Sequence, residues 1–146
     1  TLLDYGCGKG RVDCYLSYQT RCHSIGVEYD PRIYETAAEN QKTAVSGGRT
    51  EFVLADAGEF PVPDAVNRAY FFNPFSVELL QKVIRRILDS WYEVSREIRL
   101  FFYYPSDEYL AYLMTVDELV FADEIDCREL FDGNDARERI VEFVLE

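Results

Sequence analysis

The stretch that most constrains this chain is its first eleven residues, TLLDYGCGKGR. An apolar pair, Leu2 and Leu3, runs into Asp4-Tyr5, three alternate glycines follow at Gly6, Gly8 and Gly10, and an amphipathic segment opens at Arg11. The pattern predicts a strand, a glycine turn and a helix. Glycine reaches positive φ and lets a ligand approach where a Cβ would clash, and the helix behind it presents unpaired N–H groups at its start. Such a turn suits a cofactor, although a tight strand-to-helix connection with no ligand would satisfy the same residues.

Spacing selects among cofactors. A dinucleotide fold uses G-x-G-x-x-G; counted from Gly6, the third glycine position is Arg11, whose side chain would intrude between helix and strand. That argues against a nicotinamide-dependent oxidoreductase. The phosphate loop G-x-x-x-x-G-K-[ST] is not matched either. Asp4 to Gly10 instead resembles the D/E-x-G-x-G-x-G loop of class I S-adenosylmethionine-dependent methyltransferases at all four specified positions. The resemblance implies that the loop passes under the methionyl and ribose parts of S-adenosylmethionine, with Asp4 beside the methionine amino group and Gly6, Cys7 and Gly8 against the cofactor. It also implies a Rossmann-like α/β fold, a three-layer sandwich around a mostly parallel seven-stranded sheet. The implied strand order is 3-2-1-4-5-7-6 with the last strand antiparallel. Members of the family carry a helix ahead of the first strand; here a strand already opens at residue 1, so that helix is expected to be missing from residues 1–146.

The rest of the chain reads as alternating elements. Val12, Tyr15, Leu16 and Tyr18 recur at helical spacing, which predicts a helix over 11–20 with those residues as its apolar stripe. A strand is expected at 24–27, and Asp30-Pro31 is a capping pair for a helix running to about Val45. Further strands are expected at 51–55, 69–72 and 98–104. Between the last two, Val77, Leu80, Val83, Ile84, Ile87, Leu88, Trp91 and Val94 mark the longest helix. Ser106 with Asp107 and Glu108 opens a short helix, and 118–125 and 139–145 read as an antiparallel pair joined across Asp132-Gly133-Asn134-Asp135. Pro61 and Pro63 keep the segment after Asp56 from forming a regular helix.

In an open α/β sheet, ligands bind beyond the carboxyl ends of the strands, so those residues are the candidates. Glu28 ends the second strand near the roughly 20-residue distance at which an acid reaches ribose hydroxyls; a surface acid is the alternative. By the same resemblance, Tyr29 would lie against adenine, Asp56 would accept from its exocyclic amine, and Ala57 would offer a backbone N–H. Asn73-Pro74-Phe75 resembles the (D/N)-P-P-(Y/F) motif of methyltransferases acting on planar nitrogens, with one proline missing. That makes Asn73 and Phe75 the catalytic candidates, with Asn73 also near the cofactor. Local rules offer a second reading, in which Asn73 caps the long helix with Pro74 at its first position. Tyr103, Tyr104 and Pro105 end the fifth strand, either bordering the acceptor or packing in the core.

Composition bounds the partners. The length suits one domain that buries roughly two-thirds of its unfolded surface. With 27 acidic against 15 basic residues the net charge is −12, which repels phosphate backbones and disfavours nucleic acid. A small molecule or a protein, such as a basic tail, is the acceptor that this charge admits. No apolar run reaches the roughly 18 residues that span a bilayer, and no leader precedes the first strand, so a cytoplasmic protein is expected. Cys7, Cys14, Cys22 and Cys127 fit neither a zinc spacing nor a disulfide framework, and no metal is expected. His23, the one histidine, reads as a turn residue, which leaves no Ser–His–Asp set. The function expected is methyl transfer from S-adenosylmethionine to an acceptor, a nitrogen of a small molecule or protein among the candidates; a non-catalytic cofactor-binding domain is the alternative.

Overall fold

A computed structural model describes residues 1–146. The elements are β1 (Leu2–Tyr5), α1 (Arg11–Thr20), β2 (Ser24–Glu28), α2 (Pro31–Thr43), β3 (Thr50–Leu54), β4 (Arg68–Phe71), α3 (Val77–Glu93), β5 (Ile98–Tyr103), α4 (Asp107–Leu113), β6 (Val120–Asp126) and β7 (Arg139–Leu145). They build one seven-stranded sheet of order β3-β2-β1-β4-β5-β7-β6. The first five strands pair in parallel, and β7 inserts antiparallel between β5 and β6. The order and the reversed strand are those expected from the glycine-loop resemblance.

Alternation along the strands fills the two faces differently. On one face Leu3, Tyr5, Ala69, Phe71, Leu100, Phe102 and Phe143 meet Leu80, Val83, Ile84 and Ile87 of α3, with Tyr109 and Leu113 of α4. Each of the Val, Leu, Ile and Phe side chains among these contributes on the order of 1.5–3 kcal/mol by leaving water, so α3 is held chiefly by this stripe rather than by its own propensity. The opposite face carries α1 and α2, where a smaller cluster of Cys7, Ala37 and Phe52 is buried. Asp30 caps α2 by accepting from the backbone N–H of Arg32 and Ile33, and Pro31 takes the first helical position.

Two local expectations are corrected. The stripe of Val12, Tyr15, Leu16 and Tyr18 is not the buried face of α1: Tyr15 and Tyr18 are exposed, and the helix turns Asp13 and Ser17 inward. Polar partners on β2 explain this, since the Ser17 hydroxyl donates to Ser24 Oγ at 2.9 Å and Ser24 Oγ in turn donates to the Asp13 carbonyl. Val12, Tyr15 and Leu16 line instead an apolar groove of about 710 Å³ beside the uncovered sheet surface of Tyr70, Phe101 and Ile140. The cap of α3 is Ser76, whose Oγ accepts from Leu79 N–H at 3.3 Å, not Asn73. Asn73 lies outside the helix at φ 42°. Strand and helix ends otherwise fall within a few residues of the expected positions, and the helix that opens at Pro31 stops at Thr43 rather than Val45.

Candidate active site

The parallel strands deliver the expected loops to one edge of the sheet. Gly6 follows β1, Glu28 and Tyr29 end β2, and Ala55, Asp56 and Ala57 follow β3; together with Val27, Pro74, Phe75 and Leu79 they line a cavity of about 300 Å³. That volume sits at the lower end of the range for cofactor and small-molecule pockets. Of the residues singled out in the sequence, Gly6, Glu28, Tyr29, Asp56, Ala57 and Phe75 converge on this cavity. Pro74, the middle residue of the Asn73-Pro74-Phe75 motif, completes it with Val27, Ala55 and Leu79, which the sequence did not single out for the site.

The glycine loop owes its shape to two close approaches. Gly6 has φ 70°, and a Cβ there would lie 2.6 Å from Pro74 Cβ. Gly10 has φ 78°, and a Cβ there would lie 2.3 Å from the Phe52 ring, so only glycine lets α1 start this close to β3. The N–H groups of Gly6 and Cys7 both donate to the Val27 carbonyl, at 2.9 and 3.1 Å, which fixes the loop to the end of β2. Above Gly8 the position of a Cβ meets no atom within 4 Å.

The acids differ in their surroundings. Glu28 is half-buried, and one of its oxygens accepts from the Tyr29 N–H at 2.8 Å, leaving the other for a ligand hydroxyl. Asp56 Oδ1 accepts from Gly58 N–H at 2.8 Å and holds the loop after β3 in a turn. Tyr29 is 75% exposed, its ring edging the cavity. Asp4 does not reach the cavity wall: it is 3% exposed and lies beneath the loop, where burial pushes its carboxyl above the ordinary carboxylate range. Cys7 turns to the other face, against Gly26 and Phe52, and burial pushes its thiol far up, so it is not a reactive thiolate.

Phe75 is placed by an aromatic ladder. Tyr5, Phe71 and Phe102 stack across β1, β4 and β5 at centroid separations of 4.9 and 4.5 Å. The Phe75 ring meets Tyr5 and Phe71 edge-on at 6.4 and 6.3 Å. The Tyr109 hydroxyl of α4 donates to the Phe75 carbonyl and accepts from its N–H. Asn73 is exposed and is not among the residues that line this cavity; it is one of three non-glycine residues with positive φ, and another is Tyr104, which closes the neighbouring strand at φ 53°. Phe72, exposed next to Asn73, lies 4.7 Å from the half-buried ring of Tyr103 and 6.4 Å from that of Tyr104. Tyr104 is braced by its hydroxyl on Asp135 and by the Arg137 guanidinium 4.3 Å over its ring. His23 lies away from this edge, its carbonyl accepting from Leu2 N–H, and all four cysteines are free.

A glycine loop after the first strand, acids after the second and third, and a reversed seventh strand define a Rossmann-like fold of the methyltransferase type. The comparisons agree. Residues 2–97 match the family model described as "Methyltransferase domain". The chain belongs to that family, the S-adenosylmethionine-dependent methyltransferases. No curated protein matches it by sequence. Among solved structures, it is similar to the glycopeptide N-methyltransferase MtfA complexed with S-adenosylmethionine, with 10% identity, a TM-score of 0.74, and coverage of 99% of this chain and 81% of that one. It is also similar to magnesium protoporphyrin IX methyltransferase from Synechocystis PCC 6803 with bound S-adenosylmethionine, at 15% identity and a TM-score of 0.70, covering 99% of this chain and 69% of that one. A TehB-like S-adenosylmethionine-dependent methyltransferase from Corynebacterium glutamicum aligns over 99% of this chain and 79% of its own, at 16% identity and a TM-score of 0.67. No helix is long and apolar enough to cross a membrane.

Proposed function

We propose that this domain transfers the methyl group of S-adenosylmethionine to a nitrogen of a small molecule or protein presented at the rim formed by Asn73 and the ends of β4 and β5. The observation that carries the reading is the convergence of Gly6, Glu28, Tyr29, Asp56, Ala57 and Phe75 on one cavity at the carboxyl edge of the sheet. The cofactor fits the residues present. Two carboxylates, Glu28 and Asp56, line the cavity and suit hydroxyl and amine groups, the Tyr29 ring suits a flat base, and the space over Gly8 is open.

The bound cofactor supplies an electrophilic methyl on a sulfonium. In this reading the chain's own residues do the binding and orienting. Glu28 accepts from the ribose hydroxyls with the oxygen that Tyr29 N–H leaves free, and Tyr29 lies along the adenine. Asp56 accepts from the adenine amine, and Ala57 offers its N–H to the ring. Gly6, Cys7 and Gly8 contribute backbone, and Asp4 supplies negative charge from beneath the loop toward the amino group. Asn73, next to the cavity-lining Pro74, accepts through its side-chain oxygen from the acceptor N–H, which aligns the lone pair; Phe75 gives the acceptor a ring to rest on. Rate then comes from positioning rather than from a strong base. The acidic surface favours basic peptides among protein acceptors.

Small amines and basic peptides incubated with S-adenosylmethionine test this, with release of S-adenosylhomocysteine as readout. Asn73→Ala is expected to lower turnover on the order of tenfold or more while cofactor affinity stays within about threefold, because it removes an orienting acceptor only. Equal turnover in that variant contradicts the role of Asn73. Cofactor binding with no transfer to any amine or peptide favours the non-catalytic reading.

A further inference from the structure

Beneath the glycine loop lies an arrangement that the cofactor reading does not use. Asp13, in the first turn of α1, has no exposed surface, and neither of its carboxyl oxygens has a hydrogen-bond partner within ordinary reach. The titratable side chain it interacts with most directly is Asp4 on β1, itself buried; as two carboxylates, neither offers the other a hydrogen unless one of them is protonated. Two carboxylates this deep cannot both ionise without large cost. The surrounding titratable groups offer no relief: Glu28 at the end of β2, Cys7 in the loop, Tyr70 of β4, Cys14 of α1 and Cys22 just after it are all neutral or negative. No lysine, arginine or histidine is among them. The only favourable contribution to an Asp13 charge is its own backbone N–H at the start of α1, and burial together with Asp4 outweighs it.

We propose that Asp13 is a positioning residue for Asp4: protonated, it donates to the Asp4 carboxylate, holds the buried pair at a single negative charge, and keeps that charge on Asp4, beneath the loop that an amino group would approach. The inference rests on the reading that Asp4 serves the amino group of the cofactor. It explains why a charged residue occupies a helix face that otherwise packs against a sheet. A lone buried Asp4 carboxylate would be left without a donor; Asp13 supplies one without bringing a second charge. Both carboxyls are raised above their ordinary range, Asp13 the more strongly, in keeping with a pair that keeps one proton.

The test has two parts. Carboxyl carbon NMR of the unsubstituted protein, with no ligand present, is expected to show one buried aspartate still protonated at neutral pH and its partner ionised. In Asp13→Asn the protonated signal disappears and the Asp4 signal remains. Both carboxyls ionised at neutral pH in the unsubstituted protein overturn the proposal, whatever the variants do. The second part is the affinity for S-adenosylhomocysteine, which carries the same amino group, measured from about pH 8 to about pH 5. Asp13→Asn, which still donates to Asp4, is expected to bind within about threefold of the unsubstituted protein at neutral pH. Asp13→Ala removes the donor, so its affinity is expected to fall about tenfold at neutral pH, with the acidic loss of binding starting at a higher pH. If Asp4→Asn weakens binding while Asp13→Ala and Asp13→Asn share one profile, the positioning role alone is overturned. If Asp4→Asn binds as the unsubstituted protein does, the reading of Asp4 fails and the proposal with it.

Discussion

Glu28 shows how much one side chain of this site decides. Its position at the end of β2 and its bond from Tyr29 N–H leave a single oxygen open to a ligand; in the proposed binding mode Glu28→Ala removes the acceptor for the ribose while the desolvated hydroxyls stay in place. The loss in affinity for S-adenosylhomocysteine is expected to be on the order of tenfold or more, read by calorimetry; unchanged affinity would displace the ribose from this site. Asp13 makes a prediction of a different kind. Its carboxyl is raised in the folded chain, so its contribution to stability is present below the unfolded value and is lost as pH rises. At about pH 7 the folded chain keeps a proton that the unfolded chain gives up, which costs on the order of 2–4 kcal/mol. Asp13→Asn removes that proton from the balance. Its melting temperature is expected to exceed that of the unsubstituted protein at about pH 7, the gap closing toward about pH 4 where the unfolded aspartate is protonated as well. A gap independent of pH would place Asp13 in its ordinary ionised state. The placement of Gly6, Glu28 and Asp56 at strand ends was legible in the sequence because turn chemistry at strand ends follows short-range rules. Asp13 was not, since nothing in a ten-residue window shows that a helix will turn a carboxylate inward.

Among the elements, the turn from Asn73 to Phe75 depends on parts distant in the chain. The motif suggested a helix cap, yet Ser76 caps α3, and the turn is fixed instead by the Tyr5–Phe71–Phe102 ladder and the Tyr109 hydroxyl. Tyr109→Phe keeps the ring and removes both bonds to the Phe75 backbone. It is expected to cost about 1–2 kcal/mol of stability in denaturant unfolding and to speed exchange of the Phe75 amide. Unaltered exchange would mean that ring packing alone holds the turn. Such a cross-strand brace is invisible in sequence, because Tyr109 and Phe75 lie far apart and neither sits in a pattern that names its partner. The apolar stripe of α1 misled for a related reason. Periodicity marks an apolar face but does not say whether that face meets a sheet or lines an open groove, as Val12, Tyr15 and Leu16 do.

For the whole molecule, the order β3-β2-β1-β4-β5-β7-β6 brings β1 and β4 side by side, with the chain leaving β1 toward β2 on one side and β4 toward β5 on the other. Ligands collect where the connections diverge, and the cavity of Gly6, Glu28, Asp56 and Phe75 lies at that edge. The alternation of strands and helices followed by an antiparallel pair was readable from the residues, whereas the strand order came with the resemblance of the glycine loop, because crossovers of one hand do not by themselves fix which strands are neighbours. Fold alone does not choose the chemistry, and the solved structures similar to this chain include a [4+2]-cyclase as well as methyltransferases. The central claim, that the cavity is built for S-adenosylmethionine, is tested most directly by calorimetric titration with S-adenosylhomocysteine alongside NAD. Micromolar binding of S-adenosylhomocysteine, with none of NAD, is the expected result; binding of NAD with no response to S-adenosylhomocysteine would contradict the account.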